Sequence, residues 1–299
     1  FNWYWWRFKL ISGLLVLNKP KGISSGEFIR KLKPLIQNSK IGHSGTLDPL
    51  ARGIILACIG QMTRFTQYLA NEKKMYIAEM TFGLKTNTGD LDGKVLQEDN
   101  FVPAKKDFNS ILKKFVGNIY QEAPLFSSLK YKGKPMYQYA RKGMNIPSKS
   151  RKIEIFSIDL ISKNKNKFTF SVDCGKGTYI RSLVNDIARE FNTVAVLSDL
   201  ERISSADHNI KESHEIETIN SDNLSNKLIS MGDALRSLDE IQCAPEIIDR
   251  IINGQKAFLE EAKLKSIYLR LFDENKDFIG ILKNNGGLVS PKRLLSIKN

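Results

Sequence analysis

Cysteine is nearly absent from the chain: three residues in 299, Cys58, Cys174 and Cys243, odd in number and far apart. They make neither a disulfide framework nor a CxxC metal pair, so a reducing cytoplasm is the expected setting. Histidine is equally scarce. His208 and His214 lie in a polar stretch far along the chain from His43, and no metal site is expected. No apolar run is long enough to span a bilayer, and no charged leader precedes an apolar core with a small-residue cleavage site. Neither a membrane anchor nor a secretory signal is therefore expected. There are no internal repeats. Negative charge is the other shortage: 32 acidic residues stand against 46 basic ones, a net charge of +14. That excess favours a polyanionic partner, with nucleic acid the first candidate and an anionic membrane surface the second.

What is present suits a packed protein of one large domain or two, with 41% hydrophobic residues. Leu14 to Leu17 reads as a short strand and Asn18 to Gly22 as a turn. Ser24 and Glu27 have capping-box spacing, and Phe28 to Ile36 recur at helical spacing until Pro34 argues for a kink or an early end. "GIILACIG" is a buried strand or helix that periodicity cannot decide. In "KMYIAEMTF", Tyr76, Ala78, Met80 and Phe82 alternate as in a strand, and the segment ends in a turn at Gly89-Asp90 or Asp92-Gly93. Phe108 to Phe115 reads as an amphipathic helix, and 150–174 as a hairpin around "SKNKNK". Ser204 to Lys227 is polar and reads as a peripheral connection. Beyond it, "IIDRIINGQKAFL" and "SIYLRLFDENKDFIGILK" read as a helix and two strands of a small β-rich unit.

Three stretches can carry chemistry. "GHSGTLDPLARG" places one carboxylate, Asp48, in a glycine-bounded loop. Asp-Pro by itself is an ordinary turn, but a pocket carboxylate beside an arginine stays ionised and can attack an electrophilic carbon or stabilise a positive sugar. "DCGKGTYIRSLVNDIARE" is a strand, a glycine turn and a helix whose apolar stripe omits Tyr179 and Arg181, leaving both free to face a site. The same residues also fit a plain capped junction or an anion-binding helix start. "SSLKYKGKPMYQYARKG" interleaves Lys130, Lys132, Lys134 and Arg141 with Tyr131, Tyr137 and Tyr139. Cations beside aromatic faces suit looped RNA, and a solvated basic hairpin is the alternative.

Taken in order, "LLVLNKPKGISS", "KIGHSGTLDPLARGIILACIG", "KMYIAEMTFGLKTNTGDLDG", "SSLKYKGKPMYQYARKG" and "CGKGTYIRSLVNDIARE" resemble the bacterial TruB-type tRNA pseudouridine synthases. The resemblance runs from about Ser12 to Ile203, and the C-terminal part is similar to the family's short PUA-type RNA-binding domain. It implies an α+β chain: a pseudouridine synthase fold with a mixed, mainly antiparallel sheet flanked by helices, and a small β-rich PUA-like domain. The implied division is an extension of unclear role at 1–11, a catalytic domain at 12–239 and an RNA-binding domain at 240–299. The implied reaction is isomerisation of uridine 55 in the tRNA T-loop, on a flipped-out nucleotide and without a cofactor or metal. The implied partner is the tRNA T-arm, with no membrane and no guide RNA, and the implied enzyme is a cytoplasmic monomer.

Position by position, the resemblance makes Asp48 the catalytic carboxylate, Tyr76 the residue that stacks on the uracil and assists proton removal from C5, and Arg181 the partner of Asp48. Tyr179 and Leu200 line the pocket, and His43 helps hold the opened T-loop. Lys19 and Pro20 pack beneath the active-site loop. Lys130, Lys132, Lys134, Arg141 and Lys176 are expected on the RNA backbone. Asn18 and Arg52 depart from the usual pattern, and Arg52 is expected to add a phosphate contact. Two other readings compete: an RNA chaperone, which leaves Asp48, Tyr76, Tyr179 and Arg181 without a purpose, and the guide-RNA-dependent synthases that share "GHSGTLDP".

Overall fold

The computed structural model describes residues 11–296 apart from 37, 145 and 149, so the aromatic first ten residues lie outside the described part. Among the described residues, nine strands form one sheet. They are Gly13–Lys19 (β1), Ile41–Ser44 (β2), Arg52–Ile59 (β3), Lys74–Phe82 (β4), Gly117–Glu122 (β5), Ser150–Asn164 (β6), Lys167–Cys174 (β7), Ala195–Ser205 (β8) and His208–Asn209 (β9). The order is β1-β3-β8-β4-β7-β6-β5, with β2 on β3 and β9 on β8. Every pairing is antiparallel except β3 with β8.

"GIILACIG" is β3, and its unbroken apolar run has a physical cause. Ile55, Ala57 and Ile59 pack with Leu15, Leu17, Phe28 and Leu32 on one face of the sheet. Ile54, Leu56 and Cys58 pack with Leu14, Val16, Met62 and Phe65 on the other. A strand covered on both faces loses its alternation. By contrast β4 keeps its period of two, with Tyr76, Ala78, Met80 and Phe82 buried. They meet the helices Lys105–Leu112 (α2) and Ile180–Arg189 (α3) through Phe108, Leu112, Leu183, Val184 and Ile187. The first helix, Ser25–Arg30 (α1), ends before Pro34, and Ser24 Oγ accepts from the amide of Glu27 at its start.

The sheet opens a slot where the chemistry is expected. Along its C-terminal half β3 pairs with β2, from Leu56↔Ser44 to Ile59↔Ile41. At its start it pairs with β8 instead, Arg52↔Glu201 and Gly53↔Arg202. The loop 45–51 leaves β2 where that pairing stops and returns beside β8. Gly53 has φ of +105°, and a Cβ there would sit 2.4 Å from the carbonyl oxygen of Arg202. Gly53→Ala is therefore expected to cost at least about 2 kcal/mol, combining left-handed strain with a backbone clash. A urea midpoint equal to wild type would contradict this close approach.

A second sheet of Asp239–Gln242 (β10), Ala257–Phe258 (β11), Tyr268–Phe272 (β12), Phe278–Asn285 (β13) and Leu288–Leu294 (β14) has the order β10-β12-β13-β14-β11. The helix Pro245–Ile252 (α4) packs on it through Ile248 and Ile251. Phe278 and Ile281 of this sheet, with Leu295 just after it, share an apolar cluster with Leu14 of the first sheet and with Met62 and Phe65 after β3. Ser204–Lys227 corrects the reading of a merely peripheral connection. Ile216, Ile219 and Leu224 are buried beneath β1, and His214 exchanges backbone hydrogen bonds with Val16 and Asn18. Few apolar residues were enough, because Ile216, Ile219 and Leu224 are all buried.

Candidate active site

The loop carrying Asp48 is fastened at four points. Ser25 Oγ accepts from the amide of Leu47 at 2.8 Å and donates to its carbonyl at 2.9 Å. The amide of Gly22 donates to Pro49 O, and that of Ala51 to Asp48 O. Arg202 donates to Gly45 O at 3.1 Å. Beneath lies Lys19, fully buried, with Nζ donating to Pro20 O and Ile23 O at 2.8 Å each. Burial pushes its pKa down to about 8, against the opposing pull of the Asp48 charge. Lys19 thus does more than pack: it is a hydrogen-bonded cation under the loop.

Asp48 faces Arg181, the residue after Ile180 at the start of α3. Arg181 Nε lies 2.8 Å from Asp48 Oδ2 and 3.7 Å from Asp90 Oδ2. The other two nitrogens of the guanidinium donate to Thr88 O and Phe126 O, both at 2.8 Å. With the Arg181 side chain 5% exposed and Asp48 36% exposed, the pair runs from interior to surface, cation inside and carboxylate reaching solvent. Burial raises the Asp48 pKa above the ordinary carboxylate value; Arg181 opposes this and the charge of Asp90 adds to it. Asp90 is itself held by Thr88, whose Oγ1 donates to its carboxylate at 2.5 Å. The sequence showed Asp90 only as a turn residue, and its place beside Arg181 follows from the fold of loop 86–93.

Tyr76 and Leu200 stand on adjacent strands and share one buried cluster with Leu47, Ala51 and Ile180, which brings them to the Asp48 loop. Burial raises the Tyr76 pKa, and the Arg202 charge opposes it. Tyr179 caps α3, half-buried, under the guanidinium of Arg151 at 5.4 Å. Its backbone is bracketed by the buried Gln121, which accepts from its amide at 2.8 Å and donates to its carbonyl at 3.1 Å. That amide is therefore already taken, not presented to an anion. Gln121 was not singled out from the sequence, where nothing links it to Tyr179 across 58 residues. His43 stands apart from the carboxylate. It lies on β2, lining a polar recess with Lys33, Lys40 and Thr63. Burial and the Arg202 charge lower its pKa, and so favour the neutral ring.

A carboxylate fixed by a fastened loop, paired to an arginine and close to a tyrosine and a leucine, suits, in its charged form, attack on or stabilisation of a flipped nucleoside. Residues 33–180 match the model of the TruB family pseudouridylate synthase N-terminal domain, and residues 240–295 that of the pseudouridine synthase II TruB C-terminal domain. The chain is 37% identical over 278 residues to tRNA pseudouridine synthase B of Clostridium kluyveri, covering 92% of this chain and 96% of that one. It is 34% identical to the enzyme of the same name from Methylobacillus flagellatus, covering 95% of each. The chain belongs to the TruB family of pseudouridine synthases. The crystal structure of a Cbf5-Nop10-Gar1 complex has the same fold, with a TM-score of 0.72 and 19% identity over 94% of this chain and 84% of that one.

The basic surface of this TruB-family chain lies on the segment after β5. Lys130 and Lys134 flank a two-residue hairpin whose turn holds Lys132; all three are exposed, as are Arg141 and Lys176. Leu129 O and Ser127 O accept from the amides of Met136 and Tyr137, and the next carbonyl back, Phe126 O, is the one Arg181 holds. The residue that pairs with Asp48 therefore also anchors the root of the basic segment. Its tyrosines are partly engaged with neighbours: Tyr131 stacks edge-on with Tyr139 at 5.6 Å, and Arg141 lies over Tyr137. Lys176 donates to Asn71. Arg52 corrects the expected phosphate contact. Its guanidinium grips both oxygens of Asp199, at 2.8 and 2.6 Å, and donates to Glu201 at 2.9 Å. It is neutralised in place.

Proposed function

We propose that the protein isomerises uridine 55 of the tRNA T-loop to pseudouridine, with Asp48 as the catalytic carboxylate. The observation that carries this reading is the Asp48–Arg181 pair at 2.8 Å, with Tyr76 and Leu200 in the buried cluster that also takes in Leu47 of the Asp48 loop. The reaction breaks N1–C1′, turns the uracil and rejoins it through C5, so the site must hold a flipped base and supply one anionic group. Tyr76 and Leu200 flank the base, Tyr179 lines the pocket, and His43 with its polar recess holds the opened loop. The basic segment 130–141 and Lys176 track the RNA backbone. Full-length similarity to relatives named tRNA pseudouridine synthase B supports tRNA as the substrate; that the enzyme works alone, as a cytoplasmic monomer without a guide RNA, is part of the proposal.

The test is pseudouridine mapping on unmodified tRNA, and on a bare T-arm stem-loop, with the purified protein alone. One modified position, uridine 55, in both substrates is the expected result. A requirement for a guide RNA, or modification at another site only, would overturn the reading. For the basic segment, a Lys130→Ala, Lys132→Ala, Lys134→Ala triple variant is expected to weaken tRNA binding. It should also flatten the slope of log K against log salt by about 2, since each phosphate no longer neutralised accounts for roughly 0.7–0.9. The single-turnover rate at saturating tRNA should hold, and an unchanged salt slope would remove these lysines from the interface.

A further inference from the structure

Arg202 is, among the described residues, the largest side chain that is fully buried, at 0% exposure. Among the described residues no carboxylate pairs with it. A buried charge without a counter-ion is expensive, and a fold that keeps one needs a reason. The contacts of Arg202 converge on the site: Nε donates to Ile54 O at 2.8 Å and one terminal nitrogen to Gly45 O at 3.1 Å. One guanidinium thus ties the first residue of the Asp48 loop to the strand onto which that loop returns. In the register of β8 with β4, Arg202 stands directly opposite Tyr76, and Leu200 opposite Ala78. Cross-strand partners project to the same face, with Cβ atoms about 5 Å apart. The guanidinium therefore lies between the phenol and the loop. The other titratable groups that feel its charge, His43, Lys19, Lys74 and Cys174, all border the same region.

We infer that Arg202 is a positioning residue for the reaction, acting through Tyr76: it fixes the distance between the phenol and the Asp48 loop and keeps a permanent positive charge beside the phenol oxygen. This rests on the function proposed above. Both walls of the base slot are then set by one side chain that never meets the substrate. The charge matters most when the oxygen of Tyr76 takes on negative character, as it must if that residue accepts the C5 proton of the rejoined uracil. In that step the C5–H bond breaks, its electron pair becomes the C5=C6 double bond, the C6=N1 pair moves onto N1, and the C5 proton passes to the phenol oxygen. The proton that the phenol gives up is taken by N1 through water, so phenol and N1–H are both complete at the end and no net proton is lost.

Single-turnover kinetics and tRNA binding of Arg202→Met and Arg202→Lys, alone and with Tyr76→Phe, test this. Arg202→Met is expected to lower the rate about 10²-fold or more, the loss typical of a removed preorganised donor, with tRNA affinity unchanged. Arg202→Lys should recover part of the rate, because it restores charge without the fork. On the Tyr76→Phe background either Arg202 substitution should cost little further, since the group it acts through is gone. Losses that multiply, or an Arg202→Met rate equal to wild type, would overturn the inference. If Arg202→Met does not fold, the Arg202→Lys, Tyr76→Phe cycle decides alone. Wild-type protein that forms no pseudouridine at uridine 55 would instead overturn the function on which this rests, a result read from the wild type before any variant.

Discussion

Asp48→Asn is expected to bind tRNA as the wild type does and to form no measurable pseudouridine, a loss of about 10⁴-fold or more, the scale seen when a reacting group is removed. The substitution keeps shape and hydrogen-bonding capacity. The four fastenings of the loop, at Leu47, Pro49, Ala51 and Gly45, involve main-chain atoms and Ser25 or Arg202, so none depends on the Asp48 carboxylate. What disappears is the negative charge. The same charge sets a pH dependence. Because burial raises the Asp48 pKa above 3.8, the wild-type single-turnover rate should fall on acidification at a higher pH than for an ordinary aspartate. The stability consequence has the opposite sign from a usual salt-bridged carboxylate. A folded-state pKa above the unfolded one means that folding takes up protons, so this group's contribution is most favourable in acid and declines as pH rises through that window. Above that window the charged carboxylate burdens the fold, and there Asp48→Asn should melt at or above the wild-type temperature. Full turnover in a tritium-release assay would refute the catalytic role; a large drop in melting temperature would refute the electrostatic account.

The parts of this site that sequence reasoning reached are those written in local pattern. The alternation of Tyr76, Ala78, Met80 and Phe82 announces β4, and the apolar stripe of α3 leaves Arg181 off it. The parts it missed depend on partners distant in the chain. Arg52 looked like a free cation because Asp199 and Glu201, nearly 150 residues away, become its neighbours only when β3 and β8 pair. Asp90 looked like a turn because its approach to Arg181 needs loop 86–93 to fold against α3. Arg202 was within reach: once Leu200 is placed on a strand facing the pocket, residue 202 shares its face. The polar run that follows hid the end of that strand, and with it the buried cation.

Arg181→Lys is expected to lower the single-turnover rate about 10²–10³-fold while leaving the protein folded and tRNA bound. The arginine does three things at once: it pairs with Asp48 and donates to Thr88 O and Phe126 O. A lysine ammonium is a compact point charge on a flexible stem and cannot span all three. Kept near the two carbonyls, it leaves Asp48 less well neutralised; moved toward Asp48, it abandons the carbonyls. Arg181→Met removes the charge altogether, leaving Asp48 and Asp90 facing each other without a cation. The substitution also leaves Thr88 O and Phe126 O without their donor, a cost of about 1–3 kcal/mol that a urea titration resolves. That variant should also bind tRNA more weakly, since the root of the basic segment loses its hold at Phe126. The lysine variant tests chemistry and the methionine variant tests architecture. In an Asp48→Asn background Arg181→Lys should cost less in urea stability than it does in the wild type, because the two residues act as one unit. Equal stability losses in the two backgrounds would mean that Arg181 acts by a route other than its carboxylate partner.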